Sequence, residues 1–297
     1  MRALVMSGGG SRGSWEAGAL KYMGEQPEFA RGFDFISGTS VGSINAVGLA
    51  MFPPEHFEDG VNYVHKLWTD KVTKTSDIWQ IRKPLGIPAL WNPSIGTNAA
   101  LFKLLEGVVD IDAIVASGIV LRLPAVDLET GEIHEFDTND LVRYGILPPA
   151  ASASFPVAFP PVEIADWWLT DGGVVDMAPL GSAIDAGADE IVVLLTRDAN
   201  GVAYKSRKHM KNAIDVAMRV IDIMTQTVLM GDLAVAEMTN ALVEGAPGHP
   251  KAVGKRKVKI TILAPSKPLG ESLDFSGDLM QAQMAQGYED AKTQLGG

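Results

Sequence analysis

The sequence predicts an α/β fold with a mostly parallel central sheet. Three observations carry this reading. The first 52 residues run strand–turn–helix twice in succession, the pattern of a parallel sheet with helical crossovers. Two strongly apolar runs of strand length, DEIVVLLTR (189–197) and KVKITILAPS (257–266), follow much later. Long helical patterns accompany them, over 209–243 and in FSGDLMQAQMAQGYEDAKTQL at the end.

The elements follow in order. RALVMSG is a short apolar strand that stops at glycines, and SRGSWEAGALKYMGEQ is a helix with Trp15, Ala19, Leu20 and Met23 near one face. FDFISGTS is the second strand and VGSINAVGLAMF an apolar, buried helix. Residues 53–110 are irregular, with five prolines and Trp68, Trp79 and Trp91. They are expected to form helices and loops covering the core. Thr130-Gly131, between two strand-like runs in GIVLRLPAVDLETGEIHEF, marks a hairpin. PPAASASFPVAFPPVEI reads as a proline-rich crossing and WWLTDGG as a strand ending in a turn. No repeat or linker divides the 297 residues, so one domain is the simpler expectation.

Composition narrows the function. Hydrophobic residues reach 46%, enough for a large core, and charged residues 21%. A formal net charge of −11 argues against nucleic acid as partner, because that partnership needs clustered cations. The absence of cysteine removes disulfides, thiolate metal sites and Cys nucleophiles. No leader pattern precedes the first strand, and no apolar run reaches the roughly 18 residues of a membrane span. The expected location is therefore cytoplasmic.

The loop VMSGGGSRGSW places Gly8, Gly10 and Gly13 in the G-x-G-x-x-G spacing of a dinucleotide turn. That function also wants an acidic residue at the carboxyl end of the second strand. Asp34 stands at the wrong end, and the correct end carries SGTSVGS. The dinucleotide reading is set aside. GTSVG (38–42) is instead G-x-S-x-G between a strand and a helix, the context of a nucleophile elbow. Ser40 would be lifted off the sheet edge. Gly38 and Gly42 would remove side chains that clash with the neighbouring strand and helix. The competing reading is a structural turn whose serine caps the helix.

A nucleophilic serine needs a base. None of His56, His65, His134, His209 and His249 sits at a strand end followed by a turn. A His-based triad is disfavoured. Asp171, in WWLTDGG, can stand at the carboxyl end of its strand, on the edge where parallel sheets bind ligands. On its own, DGG would be read as a plain turn.

Taken together, GGGSRG (8–13), GTSVGS (38–43) and DGG (171–173) resemble the patatin-like phospholipase family of serine lipid acyl hydrolases, in the family's order. ASASFPVAFPPVEI (151–164) resembles that family's approach to DGG. The resemblance implies a patatin-like three-layer α/β fold, with the elbow after the second strand. It implies a Ser–Asp dyad, Ser40 as nucleophile and Asp171 as base. Gly8, Gly9 and Gly10 would form the oxyanion site, with Gly13 shaping the turn. Arg12 and Val41 join the loop as substrate-binding or oxyanion residues. Arg12 could orient an anionic head group or the loop itself; a structural ion pair holding the turn is a reading of equal weight. The sequence departs from the family in VVDMAP after DGG, where Asn often precedes the proline. Asp176 in that segment would raise the pKa of Asp171 if it pointed inward.

The implied substrate is a lipid acyl ester, with no metal and no cofactor. An acyltransferase with the same dyad is the nearest alternative. A nucleotide-binding module or a non-catalytic lipid-binding protein is a reading from another class. PLGIPALW (84–91) has the polarity of a flap, although a packed covering loop is favoured. KSRKHMK (205–211) and KRKVK (255–259) leave peripheral contact with anionic lipid open beside the favoured reading of solvated surface.

Overall fold

A computed structural model describes residues 1–82, 91–197, 205–250, 253 and 255–296. The chain opens with β1 (Arg2–Met6), α1 (Gly13–Gly24), β2 (Phe35–Gly38) and α2 (Val41–Ala50). The covering region supplies α3 (Phe57–Lys66), a small ribbon of β3 (Gln80–Ile81) with β4 (Gly96–Thr97), and α4 (Ala99–Val108). The flap expectation at 84–91 falls outside the described residues except for Trp91, which is 86% exposed.

After α5 (Ile111–Ser117), β5 (Val120–Asp127) and β6 (Ile133–Phe136) form the expected hairpin, with Gly131 at φ +74°. Then come α6 (Thr138–Tyr144), α7 (Leu147–Ser152), β7 (Val162–Ile164), β8 (Trp167–Asp171) and α8 (Leu180–Asp185). The chain ends with β9 (Glu190–Leu194), α9 (Ala213–Gly245), β10 (Lys259–Leu263) and α10 (Gly277–Leu295). The proline-rich crossing thus contains a short helix. Pro148 and Pro149 occupy its first turn, where a missing N–H costs no helical hydrogen bond.

The sheet order is β10–β9–β1–β2–β5–β8–β7, with β6 also on β5. The first five strands are mutually parallel. Side chains alternate between two cores: Leu4 and Met6 of β1 face the α1, α2 and α10 side, whereas Ala3 and Val5 face α8 and α9. The result is helix–sheet–helix, three layers.

The route that brings Asp171 to the site differs from the sequence expectation. β8 is not another parallel strand; it runs antiparallel to β5. β5 is long: its first residues pair with β2 (Ser37 opposite Arg122), and its last reach past that edge to pair with β8. β8 turns back along this extension, setting Asp171 opposite Ala125, three residues beyond Arg122. Ser40 lies three residues beyond Ser37. Both residues line one cavity at this edge of the sheet.

Helix α10 closes one face by packing on α1. A Cβ on Gly18 would strike the Met284 carbonyl, and one on Gly287 the Trp15 carbonyl, so both helices use glycine at their crossing. Two buried hydrogen bonds fix the pair: Ser14 Oγ donates to Gln283 Oε1 at 2.6 Å, and Trp15 Nε1 to Asp290 Oδ2 at 2.9 Å.

Candidate active site

Ser40 adopts φ 56°, ψ −124°, a left-handed conformation costly for a side-chain-bearing residue, on the order of 1–3 kcal/mol. The turn is held from both sides. The Ser40 N–H donates to Ser152 Oγ at 3.1 Å, and its carbonyl accepts from Ser43 Oγ at 2.6 Å. A Cβ on Gly38 would overlap the Gly42 carbonyl, and one on Gly42 would sit 2.5 Å from the Met6 carbonyl oxygen of β1. Both glycines of G-x-S-x-G are thus required by close backbone approach. The Ser40 side chain lies at the bottom of a cavity, with the residue 7% exposed.

Asp171 lines the same cavity and is 2% exposed. Its N–H donates to the Ser154 carbonyl at 3.0 Å, and its Oδ1 accepts from the Gly173 N–H at 2.8 Å. Oδ2 is buried with no aligned hydrogen-bond partner among the described residues. Burial pushes the Asp171 carboxyl up to about 7. The Ser40 hydroxyl, the Gly173 amide and the positive charge of Arg197 oppose that rise in decreasing order. Asp176 is not among these influences, contrary to the sequence expectation. Its own carboxyl is raised to about 7, by burial first and then by Asp232 and Glu135.

The glycine loop divides its amides. The Gly8 N–H is occupied by the Met177 carbonyl at 3.1 Å, and the Gly8 carbonyl accepts from Thr196 Oγ1. Gly8 therefore shapes the loop and offers no donor, a correction to its expected role. The N–H groups of Gly9, Gly10 and Val41 have no acceptor among the described residues, and all three residues line the cavity beside Ser40. Gly10 sits at φ +61°, where a Cβ would strike the Ser272 carbonyl. Gly13 lies against the Val41 side chain and bends the chain into α1.

Arg12 points elsewhere. Its Nε and Nη2 donate to the Gly270 carbonyl at 3.1 and 2.8 Å, and it lines an adjoining cleft, not the Ser40 cavity. It is a strap on the 270 loop. The contact fits the expectation that Arg12 orients the loop; the expected ion pair is replaced by a grip on a carbonyl. Burial and the nearby Arg197 lower its pKa to about 10.

Arg197, Ser152 and Ser154 escaped the sequence reading. Arg197 is 8% exposed, pairs with Asp222 of α9 and reaches the cavity wall. Its position just past the carboxyl end of β9 was the available signal. Ser152 and Ser154 lie in the segment that read as a crossing. Among the described residues no histidine lines the cavity, and His134 packs against Trp167 and Phe136.

Most of the remaining wall is apolar, with Leu67, Trp68, Leu101, Leu104, Phe155 and Phe275. Its volume is about 50 Å³. Leu67, Trp68, Leu101 and Leu104 all come from the 53–110 region.

A serine on a strained strand–helix turn, at the carboxyl edge of a parallel sheet between two helical layers, places the molecule among α/β proteins built around a nucleophile elbow. The model of the patatin-like phospholipase family matches residues 4–184. The chain belongs to that family. Among solved structures, VipD from Legionella pneumophila is similar at TM-score 0.45 and 13% identity, over 99% of this chain. This chain spans 66% of the VipD chain's length. No curated protein sequence matches it.

Proposed function

We propose that the protein cleaves fatty-acyl esters of phospholipids or lysophospholipids through an acyl-enzyme on Ser40. The observation that supports this reading is the meeting of Ser40 and Asp171 in one apolar cavity, beside the amides of Gly9, Gly10 and Val41 that lack acceptors. Asp171 takes the Ser40 proton as Oγ attacks the ester carbonyl. The carbonyl oxygen becomes an oxyanion that the free amides receive. The intermediate collapses, the C–O bond to the leaving alcohol breaks, and Asp171 returns the proton to that alcohol. A water then gives its proton to Asp171 and attacks the acyl-enzyme; the bond from the acyl carbon to Ser40 Oγ breaks, Asp171 returns the proton to Oγ, and the fatty acid is released.

A carboxylate is an unusually weak base when its pKa is near 3.9. Raising Asp171 to about 7 brings it to the range in which proton acceptance at neutral pH is efficient. The fixed amides matter equally, since losing one such donor costs about 2.7–4 kcal/mol in acyl transfer.

Two measurements test the proposal. A fluorophosphonate probe is expected to label the protein, and Ser40→Ala to abolish labelling; undiminished labelling of Ser40→Ala would overturn it. The base works only when ionised, so kcat/KM is expected to rise about tenfold per pH unit below the Asp171 pKa and to level off above about 7. A flat profile between pH 5 and 8 would remove Asp171 from the role.

A further inference from the structure

Helix α9 turns its polar side inward. Between residues 216 and 235 its charged side chains, Arg219, Asp222 and Asp232, are half-buried against the protein. The solvent-facing positions are Val216, Val220, Ile223, Met224, Met230 and Val235, which are 38–61% exposed. Only small residues and Thr227 interrupt them. A surface helix ordinarily shows the reverse arrangement. The stripe runs for about 30 Å at 1.5 Å per residue, and an uncharged apolar patch of that extent marks a contact with another apolar body.

Two further observations identify that body. The inner face of the same helix lines the site: Thr225 reaches the Ser40 cavity, and Met218, Arg219 and Gln226 line the adjoining cleft. Immediately before the helix, Arg207, Lys208 and Lys211 are exposed, with no ion pair to a carboxylate among the described residues. An apolar face flanked by cations is the chemistry of a helix lying in an anionic membrane interface. Helix α9 also lies outside the residues matched by the family model.

We propose that the outer face of α9 docks in the plane of a bilayer containing anionic lipid, which sets the catalytic cavity one helix thickness from its substrate. The choice of a bilayer over a second copy of the chain rests on the lipid-substrate reading above. Docking itself needs no turnover.

The test is flotation of the full chain carrying Ser40→Ala, so that no lipid is consumed. The vesicles are phosphatidylcholine with one-fifth phosphatidylglycerol. The protein is expected to float with them. Val220→Glu with Met224→Glu is expected to lower the partition coefficient at least about tenfold, because two charges enter the apolar layer. Lys208→Gln with Lys211→Gln is expected to weaken binding severalfold on the mixed vesicles and not on pure phosphatidylcholine. In the Ser40-intact chain, the glutamate pair is expected to leave hydrolysis of a soluble short-chain ester unchanged, which also shows that the variant folds. Failure of the unsubstituted face to float, or equal flotation of the glutamate variant, overturns the proposal. So does a sedimenting dimer that the glutamates dissociate. Flotation without any ester hydrolysis would leave docking standing and remove the catalytic reading instead.

Discussion

Asp171→Asn is expected to remove hydrolysis and, at the same time, to make the protein more stable at neutral and alkaline pH. The activity side follows from the role of the carboxylate. An amide cannot accept the Ser40 proton, and a general base contributes about 10²–10⁴-fold. The stability side follows from linkage. The folded carboxyl is raised to about 7 by burial, whereas the unfolded one ionises near 3.8. Between those values the folded state holds a proton that the unfolded state has released. Stability is therefore lost as pH rises from about 4 to about 7, and the loss is complete above that window. Its full size is on the order of 4 kcal/mol, from about 1.4 kcal/mol per unit. Asparagine has the same shape and no charge. Its oxygen can keep the Gly173 N–H, and its amide can donate to Ser40. Urea denaturation of the two proteins is expected to give the variant a clear gain at pH 8 and little difference at pH 4. A variant less stable than the parent at pH 8 would show that the buried charge is not destabilising.

Gly42→Ala carries the second large effect, this time on the fold. The added methyl would stand 2.5 Å from the Met6 carbonyl oxygen, 2.8 Å from its carbon and 2.9 Å from the Ser7 carbonyl oxygen. All three atoms belong to the backbone at the end of β1, the centre of the sheet, and none can swing aside. Overpacking ordinarily costs about 1–3 kcal/mol when side chains give way; here the helix after the elbow must shift. The expected outcome is a loss above about 3 kcal/mol in urea denaturation, or insoluble protein. Ser40→Ala, made in the same turn, is expected to fold. A well-folded Gly42→Ala would mean that the elbow is looser than its contacts indicate.

Much of this molecule was legible before its structure. The paired strand–turn–helix units gave the parallel sheet, because the glycines and serines that end each strand are as local as the strands themselves. The turns that carry Ser40 and Asp171 were legible for the same reason, since each has its own local signature. The orientation of β8 was not. WWLTD has the same apolar pattern whether it runs with its neighbour or against it, and only the length of β5 decides. The helix inside 148–164 was hidden because proline reads as a breaker, although the first helical turn tolerates it. Which glycine amides are free was equally invisible. Met177 captures the Gly8 N–H from a segment far along the chain, and no local rule anticipates that bond. The partner of Arg12, the Gly270 carbonyl, was hidden in the same way.

The glycine loop and the helix behind it are tied to the end of the chain. Ser11 N–H donates to the Ser272 carbonyl, Arg12 to Gly270, Ser14 to Gln283 and Trp15 to Asp290. During synthesis the nascent polypeptide presents Ser40 and Asp171 long before those partners emerge from the ribosome. The contacts that hold the glycine loop form only after α10 has been made. A nascent chain still lacking residues 270–290 therefore holds Ser40 and Asp171 without the contacts that fix the glycine loop beside them.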